Sequence, residues 1–274
     1  MNAADKTGAE EDALAEAYER ALALEKAGDG AAAAAWAEVL ALDAADPGGA
    51  ALRLAALRAG PLPDRAPAAY VATLFDQHAE VFDGILVDQL EYGAPLLARE
   101  RVQAKGLGPF GRMLDLGCGT GLAAEAFEDM TGARTGVDLA PGMIEIADEK
   151  ELYDELFVGD AVGFLEAARG AWDLIVATDT LPYLGDVAPL FRGVAAQAAP
   201  GALFVFSTET LPEAAIAGKG WVVTPHQRFA HPRGALETLL TTLGFQVLEA
   251  TSIMVRRESG APIDGHLFLA RAPG

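Results

Sequence analysis

A single cysteine, Cys118, leaves no possibility of an intramolecular disulfide, which fits a reducing compartment. Basic residues are scarce as well. Twenty Lys and Arg stand against 40 Asp and Glu, for a formal charge of −20. A field of that sign repels phosphate backbones and anionic lipid surfaces, so neither nucleic acid nor membrane is expected as a partner. Arg256-Arg257 is the only adjacent basic pair, too little to reverse the sign locally. Long apolar runs are also missing, and no stretch approaches the roughly 18 residues of a membrane span. Met1 to Glu19 is acidic and lacks the basic start and apolar run of a secretion signal, so the expected location is cytoplasmic. Nothing in the spacing of acidic, histidine and cysteine residues assigns a metal. What is plentiful is apolar residue, 51% of the 274, enough to bury a sizeable core in one large or two small domains.

The chain is organised around Met113-Leu114-Asp115-Leu116-Gly117-Cys118-Gly119-Thr120-Gly121. The apolar residues around Asp115 read as the end of a buried strand, the three glycines as a tight turn, and Leu122 to Phe127 as the opening of a helix. A loop with so few side chains lets a ligand lie against the main chain. The following helix is expected to aim unpaired N–H groups and its positive end there, favouring a thin or flat ligand with a negative end. Arg134 to Asp138 reads as the next strand, and Asp138 falls 17 residues beyond Gly121. A carboxylate at that second strand tip is placed to accept hydrogen bonds from a ribose diol, as in doubly wound nucleotide-binding folds. A nucleophilic Cys118 would need a base partner that the sequence does not show, and small cysteines in such turns are packing residues.

Residues 1–60 are alanine-rich, with helices expected over Ala13 to Lys26, Ala31 to Leu42 and Gly48 to Arg58, broken at Gly28-Asp29-Gly30 and Asp46-Pro47. Helix, Gly-Asp turn and helix, with Trp36, Leu40 and Asp46-Pro47, resemble one degenerate tetratricopeptide repeat, a unit of about 34 residues. A lone repeat cannot bury its own face. It must pack on a third helix, on the main domain or on another subunit, serving as a docking module or a cap. Residues 61–104 are expected to be a proline-stiffened linker, Gly60 to Asp64, followed by a helix over Pro67 to His78 and short helices over Ala79 to Leu86 and Asp88 to Arg101. Val71, Leu74, Phe75 and His78 share one helical side, suited to a lid over the nucleotide site or to plain core.

From residue 105 to 274 strand and helix alternate. Helices are expected over Ala140 to Lys150, Val162 to Arg169, Val187 to Ala198 and Gly234 to Leu243. Leu156 to Asp160 ends a third strand, and Trp172 to Thr178 is apolar enough for a central parallel strand buried on both faces. Gly201 to Thr208 is a fifth strand. Phe245 to Val255 and His266 to Ala272 read as an antiparallel hairpin joined across Glu258 to Gly265.

Residues 105–274 resemble a class I S-adenosylmethionine-dependent methyltransferase. Four signatures match in order: Asp115 to Gly121, Val137-Asp138-Leu139, Gly159-Asp160-Ala161, and Asp173 to Thr178. With the helical start and Tyr70 to Phe82, the whole chain is similar to predicted bacterial methyltransferases carrying a tetratricopeptide repeat. The resemblance implies an α/β, Rossmann-like, doubly wound seven-stranded sheet, mostly parallel with an antiparallel last strand. It implies S-adenosylmethionine as cofactor and an unidentified small molecule or protein as methyl acceptor. It places Asp115, Gly117, Cys118, Gly119 and Gly121 in the loop under the methionine half, and Asp138 on the ribose diol. Leu139 and Met143 would sandwich the adenine. Asp160 would accept from the adenine amino group, the Ala161 N–H would donate to a ring nitrogen, and Thr178 would lie beside the sulfonium.

Displacement at a carbon activated by positive sulfur needs mainly alignment and exclusion of water, so a general base is optional. Ligands in open α/β sheets bind beyond the strand C-termini, which puts Asp179, Tyr183, Glu209, His226 and His231 in reach, with Tyr70 and His78 on the lid. His231, Tyr183 and His78 are the candidates carried forward, histidine being the natural base near neutral pH. Asp179-Thr180-Leu181-Pro182-Tyr183 interrupts the acidic-or-Asn, two-proline, aromatic signature of DNA amino-methyltransferases, in agreement with the charge. A nicotinamide-dependent oxidoreductase shares the loop and Asp138, but leaves Gly159-Asp160-Ala161 without a role. A non-catalytic protein that docks through its N-terminal helices and self-associates or binds a partner is the other alternative.

Overall fold

Helix propensity decides the first part of the chain. The computed structural model describes residues 3–77, 79–84, 90–216 and 218–274. The alanine-rich stretch forms α1 (Ala3–Lys26), α2 (Ala32–Leu42) and α3 (Ala50–Ala56). Trp36 is fully buried between them. Its indole N–H donates to Glu25 at 2.6 Å, Tyr18 meets its ring edge-on at 5.3 Å, and the Arg53 guanidinium lies 4.7 Å above it. Asp46 closes the turn by accepting the Ala50 and Ala51 N–H groups at 2.6 and 2.9 Å, satisfying donors that a helix start leaves free. On α3, Leu52 points the other way and joins Ala66, Val71, Tyr183 and Phe229 in a shared apolar cluster. The segment therefore buries its surplus face both on a third helix and on the remainder of the chain.

The stretch expected to be a stiff linker is a strap sewn down along its length. The Pro63 carbonyl accepts from the Trp221 indole at 3.1 Å, and the Asp64 carbonyl accepts from Gly185 and Asp186, both at 2.8 Å. The Ala66 N–H donates to Tyr183 at 2.9 Å, and Arg65 pairs with Leu184 as a single antiparallel bridge. Next come α4 (Ala68–Asp76), one 3-10 turn at Ala79–Val81, and α5 (Ala94–Ala104). The helix expected from Asp88 starts only at Ala94, past Gly93; Asp88 itself lies outside the described residues.

The remainder alternates as the pattern demands. β1 (Phe110–Leu116), α6 (Leu122–Ala126), β2 (Thr131–Asp138), α7 (Pro141–Glu149), β3 (Glu155–Val158), α8 (Ala161–Ala167), β4 (Trp172–Ala177), α9 (Ala188–Gln197) and β5 (Ala198–Glu209) lay down parallel strands in the order β3-β2-β1-β4-β5. After α10 (Glu213–Ile216), a two-stranded insertion, β6 (Val222–Val223) and β7 (Phe229–Ala230), sits at the tip of β5. Nothing in the apolar pattern announces so short a pair. α11 (Arg233–Thr242) leads to β8 (Gln246–Glu258) and β9 (Ala261–Arg271), and β9 runs antiparallel between β5 and β8. The expected eight-residue link between these two strands is shorter. Both strands run on to a two-residue turn at Ser259-Gly260, each with positive φ, the geometry that suits a right-twisted hairpin.

Side chains alternate across the sheet, and each face has its own core. Leu114, Leu116, Ile175, Phe204, Phe206 and Phe268 pack under α8, α9 and α11, while Met113, Leu174, Val176, Val205 and Leu269 pack under α5 and α6. This is a mixed α/β, Rossmann-like fold with a mostly parallel sheet and an antiparallel edge; among the described residues the sheet has nine strands, not the seven expected, because the β6-β7 pair hydrogen-bonds to the tip of β5. Its order reverses between β1 and β4, so the crevice beyond their C-terminal ends is where a ligand is expected.

Candidate active site

That crevice exists and encloses about 950 Å³ of space, part of it open to solvent. Its floor is the loop after β1. Gly117 has φ +72, and a Cβ there would come within 2.5 Å of Thr180 Oγ1, so the turn is closed to other residues. At Gly119 a Cβ would project toward the crevice and meet only Phe82, at 3.9 Å. The loop's own N–H groups are largely spent within the protein. Gly117 and Cys118 donate to the Val137 carbonyl at 2.8 and 3.0 Å, Gly121 donates to Cys118, and Gly119 donates to Asp138 Oδ2 at 2.9 Å. α6 is only five residues long. At these four positions the loop therefore contributes shape and close approach, and the N–H groups at the start of α6 are those left to face an anionic group.

Two acidic strand tips stand over this floor. Asp138, at the end of β2, accepts from Gly119 with one oxygen and from Ala140 with the other, each at 2.9 Å. Burial raises its pKa against those backbone hydrogen bonds. Each oxygen retains a lone pair for a further donor. Asp160, after β3, caps α8 through Gly163 at 2.9 Å and pairs with Arg65 of the strap. Leu139, Ala161, Cys118 and Thr178 line the same crevice.

Three residues of the expected cofactor set, Asp115, Gly121 and Met143, do not line it. Asp115 lies beneath the loop, where it accepts from the Tyr153 hydroxyl at 2.7 Å, and burial pushes its pKa up to about 7. Gly121 backs onto the Tyr153 ring, and Met143 is fully buried with Ala79, Ala140 and Phe82. They act on the crevice from behind, by holding the loop and α7 in place. Cys118 is held as a thiol, because burial and the nearby Asp115 and Asp138 push its pKa well up.

The wall opposite is aromatic. Val71, Phe75, Phe82, Tyr92 and Tyr183 line it, with Phe75 edge-on to both Phe82 and Tyr183 at 5.6 and 5.3 Å. Sequence periodicity had Val71 and Phe75 on one side; Phe82 and Tyr92 join them through tertiary packing. Asp76 and Asp83 tether this segment, accepting from the Gly142 N–H at 2.8 Å and from Lys150 at 2.6 Å, and Asp83 also takes the Thr120 hydroxyl.

Beyond Thr178 the crevice ends at a charged cluster. Asp179 has φ +58, an uncommon strain for a residue other than glycine, and its N–H donates to Ser207 at 2.8 Å. Its carboxylate lies 3.4 Å from Arg228 and 3.8 Å from Arg256. Arg256 is fully buried and also pairs with Glu209 and Glu258. Tyr183 lies under the Arg228 guanidinium at 4.7 Å, and its buried hydroxyl has no hydrogen-bond partner among the described residues. Burial raises its pKa.

The other expected bases are elsewhere. His231 is buried, with its Nε2 3.0 Å from the Gly185 carbonyl; burial lowers its pKa to about 4, so the ring is neutral, and it does not line the crevice. His226 pairs with Glu258 at 3.1 Å, Glu209 is taken by Arg256, and Tyr70 packs in the cluster around Leu52. His78 lies outside the described residues. Arg65, Tyr92, Tyr153, Arg228 and Arg256 were not legible as site residues, since each comes from far along the chain and belongs to no local motif.

An open β1-β4 crevice with a bare loop and acidic tips on β2 and after β3 defines a nucleotide-binding Rossmann-like protein. The particular family follows from comparison: the chain belongs to the methyltransferase-domain family, whose model matches residues 89–250. A malonyl-[acyl-carrier protein] O-methyltransferase of Serratia marcescens is 25% identical over 154 residues, 55% of this chain and 57% of its own length. A ubiquinone biosynthesis O-methyltransferase of Xanthomonas campestris is 32% identical over 113 residues, 40% of this chain and 47% of its own. The chain thus spans about half the length of the curated relatives it matches. Among solved structures, an S-adenosylmethionine-dependent methyltransferase from Clostridium acetobutylicum superposes with a TM-score of 0.54 at 18% identity, covering 73% of this chain and all of that one. One from Leishmania major reaches 0.55 at 14% identity, covering 74% and 82%. These two support the fold.

Proposed function

We propose that the protein transfers a methyl group from S-adenosylmethionine to an oxygen of a small, largely apolar acceptor. The observation that carries this reading is the meeting, in one crevice, of a loop with room at Gly119, the Asp138 carboxylate with lone pairs to spare, and Asp160 beside an open Gly159. That donor set fits a nucleoside with an amino-acid tail: Asp138 would hold the ribose diol, Asp160 the adenine amino group, and Leu139 one face of the base. Bound there, the cofactor supplies a methyl group on a positively charged sulfur. The chain's own contribution is alignment and exclusion of water. Phe75, Phe82 and Tyr183 offer an apolar wall for the acceptor, while the Tyr183 hydroxyl and the Asp179 carboxylate offer hydrogen bonds at its reactive end. The two curated relatives are named as O-methyltransferases, which favours oxygen as the atom methylated.

The N-terminal helices, read as one tetratricopeptide-like unit on a domain of residues 105–274, serve in this proposal as a cap, because Leu52 spends their free face against Tyr183 and Phe229. Calorimetry with S-adenosylmethionine and, separately, NAD tests the cofactor. Micromolar binding of the first and none of the second is expected; the reverse result would return the protein to the oxidoreductases. Release of S-adenosylhomocysteine across a panel of phenols, carboxylic acids and amines tests the acceptor, and turnover confined to amines would overturn the oxygen assignment.

A further inference from the structure

Arg65 is the only cationic side chain among the described residues that line the crevice. It comes from the strap and lies outside the stretch matched by the methyltransferase family. Its backbone is held on either side, by the Asp64 carbonyl on Gly185 and Asp186 and by the Ala66 N–H on Tyr183, so its position is set by the fold despite an exposed side chain. The guanidinium donates through Nη2 to Asp160 Oδ2. Oδ1 is already occupied as the cap of α8. The pair therefore fixes the carboxylate from both sides while each oxygen keeps a second lone pair. Next to it the crevice is lined by the apolar Leu139, Ala161, Val162 and Leu184, and a Cβ added at Gly159 would meet nothing within 4 Å. Apolar side chains of this kind suit the face of a flat ring, and a guanidinium plane at its edge is suited to lie on such a ring in a way an ammonium is not.

We propose that Arg65 is a nucleobase-selecting residue of the cofactor site, lent to it by the N-terminal strap. Resting on the S-adenosylmethionine reading above, the inference is that Arg65 holds Asp160 so that its free lone pair on Oδ2 accepts the 6-amino group of adenine. A 6-oxo purine turns a carbonyl toward that carboxylate and is rejected. Without Arg65 the partly exposed carboxylate keeps only its Gly163 contact through Oδ1, its Oδ2 is no longer fixed, and the preference fades. Arg65 acts through Asp160 and is a positioning residue.

The test compares dissociation constants of S-adenosylhomocysteine and S-inosylhomocysteine by calorimetry, on the full chain, for the wild type, R65A, R65Q and R65K. Arg65 is half exposed, so all four proteins are expected to melt alike. S-adenosylhomocysteine should weaken about three- to tenfold in R65A and R65Q, the range for a partly solvated charged contact. S-inosylhomocysteine should barely change, so that discrimination between the two collapses, and R65K should fall between. An unaltered ratio of the two affinities in R65A and R65Q would overturn the proposal, as would equal weakening of both ligands, the mark of a purely structural role. If the wild type binds neither ligand, the cofactor reading itself fails, and this proposal with it; wild-type binding with an unaltered ratio sinks the proposal alone.

Discussion

The two ends of the crevice are built by different means. At the cofactor end, Gly117 to Gly121, Asp138 and Asp160 lie at successive strand tips; backbone N–H groups of Gly119 and Ala140 hold Asp138, and the Gly163 N–H together with Arg65 of the strap holds Asp160. At the acceptor end, Asp179, Glu209, Arg228 and Arg256 come from four separate elements and hold one another. The first arrangement rests mostly on main-chain donors, which a side-chain substitution does not remove. The second is a buried charge network, in which each ion depends on its partners for compensation.

The largest effect is therefore expected at the acceptor end. Arg256→Met would leave Glu209 buried without its closest cation and cost about 3–5 kcal/mol in urea unfolding. A loss below about 1 kcal/mol would show that the network is not under that constraint. The two ends also respond oppositely to pH. His231, behind the acceptor end, has its pKa lowered to about 4 from the ordinary 6.5, so the unfolded chain binds the extra proton between those values and stability rises with pH across that window. Asp115, behind the cofactor end, has its pKa raised to about 7 from 3.8, so the folded chain holds the extra proton and stability falls as pH rises from 3.8 to 7. Relative to wild type, Asp115→Asn should gain stability as pH is raised through 4 to 7, by up to about 1.4 kcal/mol per pH unit, and His231→Gln should lose it from 4 to 6.5. Parallel pH profiles for all three proteins would contradict both assignments.

Asp138→Ala sharpens the contrast from the cofactor side. It should weaken S-adenosylhomocysteine by roughly 1–3 kcal/mol in calorimetry, the cost of unpaired buried hydroxyls, while the acceptor-end network is left intact. Unchanged affinity would remove Asp138 from the ribose. The smallest effect on stability belongs to Tyr183→Phe. The hydroxyl has no partner among the described residues, so thermal unfolding should shift by no more than about 0.5 kcal/mol, while turnover of a hydroxyl acceptor falls. A marked loss of stability would mean that the hydroxyl is already engaged.

The same contrast explains how much was legible. β4 announces itself by an apolar run, because a central parallel strand buried on both faces has no polar alternation to hide in, while β1 and β2 are buried only over their last four residues and β3 is exposed at the sheet edge. The loop and Asp138 follow from their positions relative to those strands. Asp115 and Met143 belong to the same motifs yet lie behind the crevice, because which side of a strand or helix faces a ligand depends on the elements stacked against it. His231 looked suitable as a base by residue type and order. Its neighbours bury it, and burial disfavours the charged ring. The β6-β7 insertion carries Arg228 over Tyr183 through four residues of strand, too few for any periodicity to register.

By itself the amino-acid sequence determined the alternation of strand and helix, the bare turn after β1, the acidic tips at Asp138 and Asp160, and the helical character of residues 1–60, since each rests on propensity or on spacing within about twenty residues. Tertiary structure alone decided that Arg65 reaches Asp160, that Phe82 and Tyr92 complete the aromatic wall, and that Asp179 ends among two arginines. The ion pairs among them join residues about 50 to 95 positions apart, and long-range packing of side chains leaves no periodic trace in a linear chain.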